Sequence, residues 1–368
     1  MFRRLLSNFS NSIGWSTKEK LIIIESDDWG SHRIQTRESF QRMLNNGFSI
    51  SNDPYCQFDA LETNYDLDRL FNVLLKHKDS RGNSPVITAL CIMANPDFNK
   101  IKDSNFNNYY YKPISEEIKD DSLRSSIVDI WKKGNEENLF KPQFHGREHL
   151  NVTRWMNDLK SNNQHTLMAF DEKCWGIYSE KINYEYQAAF NIGHPTELRY
   201  LKSVINDGIR LFKKQLGFSP EFFVPTNGPF NTELEGQLYE NGIKYILLNK
   251  FQKEPLGNNR YKYRFRYLGK QSNSGLIYTT RNCAFEPSQK VTSDPVGLCL
   301  SQVEKMFKLN KPAVISSHRL NFIGYHDQNN ADQNLMYLDL LLHKIIQKWP
   351  DVQFITTSEL GELITREC

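Results

Sequence analysis

The stretch LIIIESDDWG, residues 21–30, decides the fold. Three consecutive isoleucines make a β-branched run with polar residues only at its end, the pattern of a strand covered on both faces. The run stops on two adjacent carboxylates, Asp27 and Asp28, followed by Trp29 and Gly30. Neighbouring negative charges are costly unless a positive group lies close to them. An aspartate that caps a solvent-facing helix would need no such partner, so both possibilities are open from this stretch alone.

Outward from it, β-rich runs alternate with helical periodicity. Strand-like runs occur at 86–93, 140–144, 166–170, 222–225, 245–248, 276–280, 313–317 and 353–357. Between them, Leu67, Leu70, Phe71, Leu74 and Leu75 form an apolar stripe, with Asn64 as its expected cap. A second stripe runs from Leu198 to Phe212 and closes on Gly217. Asn231 is placed to cap a short helix ending at Asn241-Gly242, and a stripe from Leu335 to Ile346 stops before Pro350. Strand and helix alternating in this way predict a parallel sheet, open or closed. No G-x-G-x-x-G follows the first strand and there is no Walker loop, so a nucleotide fold would lack its phosphate cradle.

Composition narrows the class. The chain has 368 residues, 39% hydrophobic and 24% charged, enough for a sizeable core and against wholesale disorder. Its formal net charge of +3 comes without a basic run, which argues against a nucleic-acid partner. No apolar segment is long enough to span a membrane. The opening MFRRLLSNFSNSIG lacks the apolar stretch of a signal peptide, and reads as a leader helix, a frayed end or an amphipathic arm on a membrane surface. The six cysteines form no CxxC and read as reduced, mostly buried thiols, which suits a cytoplasmic protein. We expect a single domain over 1–368, its core at about 18–363, with insertions at about 31–85 and 95–139 shaping a cleft.

Polar residues fall at the strand ends. Asp27 and Asp28 follow the first strand, His145 and His149 follow 140–144, and Asn227 and Gly228 follow 222–225. Arg281 and His318 follow 276–280 and 313–317. Parallel α/β folds place their sites at this edge. Histidines at i and i+4 share a face of a helical turn and can both reach one metal; a pair of surface histidines at a helix start has the same spacing. Two imidazoles and a carboxylate make a three-ligand site with open positions, suited to a catalytic metal, and a divalent cation is the positive partner that adjacent aspartates need. One aspartate would then bind the metal and the other handle protons. His318 alone would read as a packed core histidine, but it reaches the same rim. His32 and His326 are second candidates there, whereas His77 and His343 are expected to face solvent from helices. The tyrosines of NFNNYYYKP, 105–113, are expected to pack that insertion onto the body rather than to stack on sugar.

At these residues the chain resembles the polysaccharide deacetylase family, the NodB-like carbohydrate esterases. ESDDWG (25–30) resembles its first motif, HGREH (145–149) its histidine-x-x-x-histidine motif, FVPTNG (223–228) its third and SSHRLN (316–321) its last, in family order. The resemblance implies a distorted (β/α) barrel of about seven strands. It implies that Asp28, His145 and His149 hold a divalent metal, zinc first, with Co, Ni, Mn or Fe as alternatives. Asp27 would be the general base and His318 the general acid, and Trp29, Thr226, Asn227, Gly228 and Arg281 the substrate contacts. The implied activity is hydrolysis of an acetyl group from an N- or O-acetylated sugar, as an oligosaccharide or a nucleotide- or lipid-linked precursor. The family's third-motif arginine is Val224 here, and its fourth-motif aspartate-tryptophan pair has no counterpart; Arg281 is a candidate for the missing cation. Two other classes stay open: a carbohydrate-binding barrel with a decayed site, and a metal-dependent amidase for a small non-sugar amide.

Overall fold

The computed structural model describes residues 10–179 and 184–367. The first nine residues of the N-terminal arm and Cys368 lie outside the described residues. The main sheet contains β1 (Leu21–Trp29), β2 (Ile87–Ile92), β3 (Phe140–Gly146), β4 (Phe222–Phe223), β5 (Tyr245–Leu247), β6 (Ile277–Thr279), β7 (Cys283–Ala284), β8 (Ala313–His318) and β9 (Gln353–Phe354). All its ladders are parallel, in the order β6-β5-β4-β3-β2-β1-β8-β7, with β9 also on β1.

This sheet is rolled into a distorted (β/α) barrel. The chain passes from one edge strand, β6, to the other, β7, through Thr280, Arg281 and Asn282. Those residues can span at most about 14 Å. A flat sheet of that order would hold its edges roughly 34 Å apart.

Outside the barrel lie α1 (Asn64–Leu75), α2 (Ile127–Glu136), α3 (Glu197–Leu216), α4 (Glu235–Glu240), α5 (Pro295–Lys308), α6 (Gln328–Lys348) and α7 (Thr357–Glu367). Strand alternation explains how β1 serves two cores. Ile22 and Ile24 pack in the outer cluster with Leu67, Leu70 and Leu74 of α1. Leu21 and Ile23 point the other way, into a cluster with Leu90, Phe222, Val314 and Tyr245, which Leu360 and Ile364 of α7 join.

Most expected elements form, with instructive exceptions. Residues 166–170 lie in a helix, Gln164–Asp171, whose first turn is capped by Asn163. Leu, Met and Ala in that run are good helix formers, and the cap outweighs their apolar continuity. The 353–357 run is a strand only to Phe354, because Thr356 and Glu359 form a capping box that starts α7. α1 is capped by Thr63, not Asn64, through a box with Asp66. His77 is buried and paired with Asp339 at 2.7 Å rather than exposed, while His343 is exposed as expected.

The segments 31–85 and 95–139 include α1 and α2, which pack on the outer face of the barrel. A third one, 147–196, was not singled out by periodicity; it carries helices Val152–Lys160 and Gln164–Asp171 and builds a satellite core with Trp155, Phe170 and Trp175. Phe106 and Tyr109 pack against that core, and Tyr111 donates to Asp207, so these aromatics of 105–113 do fasten the insertion to the body. Five cysteines are buried and free. Among the described residues, no helix is long and apolar enough to cross a membrane.

Candidate active site

The barrel's C-terminal mouth holds a cavity of about 180 Å³ lined by Asp27, Asp28, His145, His149, Arg281 and His318. Backbone geometry explains how both aspartates enter it. In a regular strand, Asp27 and Asp28 would face opposite sides. Asp28 instead takes φ +78°, and the register of β1 against β2 shifts between Ser26 and Trp29. This bulge turns Asp28 back toward the mouth beside Asp27.

His145 and His149 do not share a helical turn. His145 ends β3, and His149 lies in the loop that precedes the helix Val152–Lys160. Gly146 makes the turn between them at φ +154°, a backbone conformation side chains rarely permit. Arg147 holds the loop in place through Glu148 at 2.6 and 2.8 Å and through Asp207 of α3 at 3.1 Å.

The two imidazoles converge on one carboxylate. Asp28 Oδ1 lies 3.0 Å from His149 Nε2 and 3.4 Å from His145 Nε2. One ligand atom from each of the three residues lies within 4.8 Å of the others, and all three residues are buried. His145 Nδ1 lies 2.7 Å from the Val224 carbonyl, which can only accept. That nitrogen therefore carries the proton, leaving the Nε2 lone pair aimed inward. Burial lowers the His149 pKa despite the nearby Asp28, which keeps a second lone pair available. Burial would raise the Asp28 carboxyl, but His149, His145 and Arg33 hold it well below its ordinary value. Two imidazole nitrogens, a carboxylate and a shared focus fit a divalent metal.

The opposite wall of the cavity is built separately. Asp27 and His318 are register partners on adjacent strands, with His318 Nε2 3.8 Å from Asp27 Oδ2. Arg281 grips both oxygens of Asp27 at 2.5 and 2.7 Å and reaches Glu25 with Nε at 2.6 Å. Burial pushes Asp27 up, but this fork outweighs it and the carboxyl stays below its ordinary value. Glu25 has no exposure, and there burial wins, raising its pKa despite Arg281. His318 Nδ1 lies 2.6 Å from Glu286, which also accepts from Asn321 at 2.8 Å. Burial alone would lower His318; Glu286 and Asp27 instead raise it to about 9, so it carries a proton at neutral pH.

Some expected contacts are elsewhere. Trp29 is buried, meets Phe140 edge-on at 5.0 Å and donates to Ser26; it supports the site from the core and does not line the cavity. Thr226 is also buried, accepting from the Ala189 N–H. Asn227 and Gly228 do line the cavity, although Asn227 donates to Glu185 and the Gly228 N–H to the Pro225 carbonyl. Arg281 lines it too, but its guanidinium is committed to the two carboxylates. His32 and His326 lie on other pockets.

Several site residues escaped the sequence reading. Glu286 stands just after β7 in AFEPS, a polar residue at a strand end, which was the available signal. Arg33 pairs with Asp28 at 3.1 Å and with Asp59 at 3.3 Å; Asp59 in turn pairs with Arg319 at 2.8 Å. No local pattern ties Arg33, Asp59 and Arg319 together, because they meet only in the fold.

No family model matches the sequence, and no curated protein matches it. Solved structures do. A probable polysaccharide deacetylase from Pseudomonas aeruginosa PAO1 has 7% identity and a TM-score of 0.48, covering 95% of this chain and 92% of its own. The peptidoglycan deacetylase PdaC from Bacillus subtilis has 11% identity and a TM-score of 0.39, covering 95% and 93%. The allantoinase PuuE has 8% identity and a TM-score of 0.46, covering 95% and 91%. The chain is thus similar, along nearly its whole length and at low identity, to solved polysaccharide deacetylases.

Proposed function

We propose that this chain is a divergent member of the polysaccharide deacetylase family, a metal-dependent hydrolase that removes an acetyl group from an acetylated saccharide or saccharide precursor. One observation carries the reading: a three-residue ligand cluster and a separately tuned Asp–His pair face each other across one cavity. Asp28, His145 and His149 would hold the metal, zinc being the first choice for two imidazoles and a carboxylate. A bound divalent ion supplies charge for the developing oxyanion and a water of lowered pKa. Asp27, kept ionised and oriented by the Arg281 fork, takes the proton of the attacking water. His318, kept protonated by Glu286, gives its proton to the leaving nitrogen or oxygen. Asn227 and Gly228 position the substrate at the cavity wall.

Arg281 bears on the decayed-site alternative. Val224 cannot supply the third-motif cation, yet a guanidinium from the β6–β7 connection reaches the same kind of carboxylate with bidentate geometry. A site losing its function has no reason to keep such a replacement.

The test is acetate release from a panel of acetylated sugars and small amides, with metal content measured on the same protein. Asp27→Asn is expected to lower turnover by about 10²- to 10⁴-fold with metal content unchanged. His149→Ala is expected to lose both. Metal at full occupancy in His149→Ala, or near-normal turnover in Asp27→Asn, refutes the assignment.

A further inference from the structure

Arg33, five residues beyond Asp28, carries a charge that the proposed chemistry does not use. It is 2% exposed, and each of its nitrogens has its own partner. Nη2 donates to Asp28 at 3.1 Å, Nε to Asp59 at 3.3 Å, and Nη1 to Gln187. Its Cζ lies 4.6 Å from the centre of the Tyr55 ring and 5.9 Å from that of Trp175, which is itself stacked on His149 at 5.8 Å. The stem is equally confined, since a Cβ on Gly176 would come within 2.9 Å of Arg33 Cβ. The guanidinium therefore has one place to be.

A cation beside three candidate metal ligands repels the ion they would hold, so its presence there needs a reason. The division of the Asp28 oxygens supplies one. Oδ1 is the atom near both imidazoles, 3.0 Å from His149 and 3.4 Å from His145. Oδ2 is the atom that accepts from Arg33. A carboxylate can give a divalent ion one oxygen or both. A second oxygen would fill a position that a hydrolytic site needs open for water and for the substrate carbonyl. With Oδ2 bonded to Arg33, Asp28 has one oxygen left to give.

A network of buried charges keeps Arg33 in that position. Asp59 takes Arg33 on Oδ2 and Arg319 on Oδ1, the latter at 2.8 and 3.1 Å. Arg319 reaches Glu62 at 2.8 Å, and Glu62 accepts from the Gly30 N–H at 3.2 Å. Asp59, Glu62 and Arg319 have no exposure. The chain of contacts thus leaves β1 at Asp28 and returns just past its end at Gly30, bracketing the bulge that turns Asp28 toward the cavity.

We propose that Arg33 is a positioning residue that restricts Asp28 to a single oxygen toward the metal and so keeps the remaining coordination positions open; this rests on the ligand set proposed above. An arginine that merely neutralised the buried Asp59 would contribute stability and leave the ligation mode of Asp28 unchanged when removed.

The test compares zinc-loaded crystals and acetate release for the wild type, Arg33→Met and Arg33→Met/Asp59→Asn. The single variant strands buried carboxylates, which is strongly destabilising; the double variant removes the pair together and leaves Arg319 on Glu62, so it decides the matter if the single variant does not fold. In the wild type, Asp28 is expected to bind zinc through Oδ1 alone. In the variants, zinc is expected at full occupancy with both Asp28 oxygens bound, and turnover is expected to fall by about 10- to 100-fold. Both Asp28 oxygens on zinc in the wild type overturn the proposal while leaving the ligand set intact. So does a folded variant in which Asp28 still binds through Oδ1 alone, one that loses its zinc, or one with wild-type turnover. A wild type that binds no zinc at Asp28, His145 and His149 refutes the ligand set itself, and the role of Arg33 with it.

Discussion

Replacing Arg281 by methionine is the sharpest probe of the site. The guanidinium makes three short charge-assisted bonds, at 2.5, 2.6 and 2.7 Å, to Asp27 and Glu25, which are 6% and 0% exposed. Methionine fills much of the space but leaves two carboxylates, two residues apart on one strand face, without their cation. Removing one partner of a buried ion pair costs about 3–5 kcal/mol, and we expect that loss at pH 7. The pH dependence has a definite sign. Without Arg281, both carboxyls are raised by burial above their unfolded values, so the folded state binds protons that the unfolded state has released. The penalty should therefore deepen from pH 5 to pH 7. In the wild type, Asp27 behaves oppositely: its lowered pKa contributes stability present above the ordinary value and lost as pH falls through the folded one. Urea unfolding at both pH values measures this, with Glu25→Gln/Arg281→Met as the second variant. Removing one stranded charge should return at least about 1 kcal/mol. A single variant within about 1 kcal/mol of wild type at pH 7, or a double variant no better than the single, would show that Arg281 is not what holds these carboxylates.

Two further outcomes follow from other groups. Glu286→Gln removes the charge that raises His318 to about 9, so the high-pH limb of the rate profile should move down by about 1–2 units; an unmoved limb would exclude His318 as the acid tuned by Glu286. Glu117, far from the proposed chemistry, is raised to about 7 by burial against a bond from Asn95, and so favours the folded state at low pH and loses that contribution as pH rises from about 4.5 to 7. Glu117→Gln should remove up to about 3 kcal/mol of that slope, read as a difference between urea curves at pH 5 and 7.5, and a pH-independent difference would contradict it.

Much of the architecture was readable from local pattern. Continuous β-branched runs specify doubly covered strands, and polar residues at their ends specify one rim, because a parallel barrel puts every strand's C-terminal end on the same side. α5 and α7 were missed although Asp294-Pro295 and the Thr356–Glu359 box are legible start signals. The short β7 was beyond reach, since two residues carry no period.

The sequence by itself determined a parallel α/β sheet and the rim on which its polar strand-end residues lie, because these depend on burial and alternation along short segments. Only the tertiary structure decided how the site is assembled. Asp27 and Asp28 share a cavity through a left-handed residue and a register shift, against the alternation of a regular strand. His145 and His149 converge through a glycine turn and not through a helix. Arg281 reaches Asp27, 254 residues away, because the rolled sheet brings its two edges together, and Glu286 meets His318, 32 residues on, because β7 lies beside β8; neither separation carries a local periodicity by which to be found.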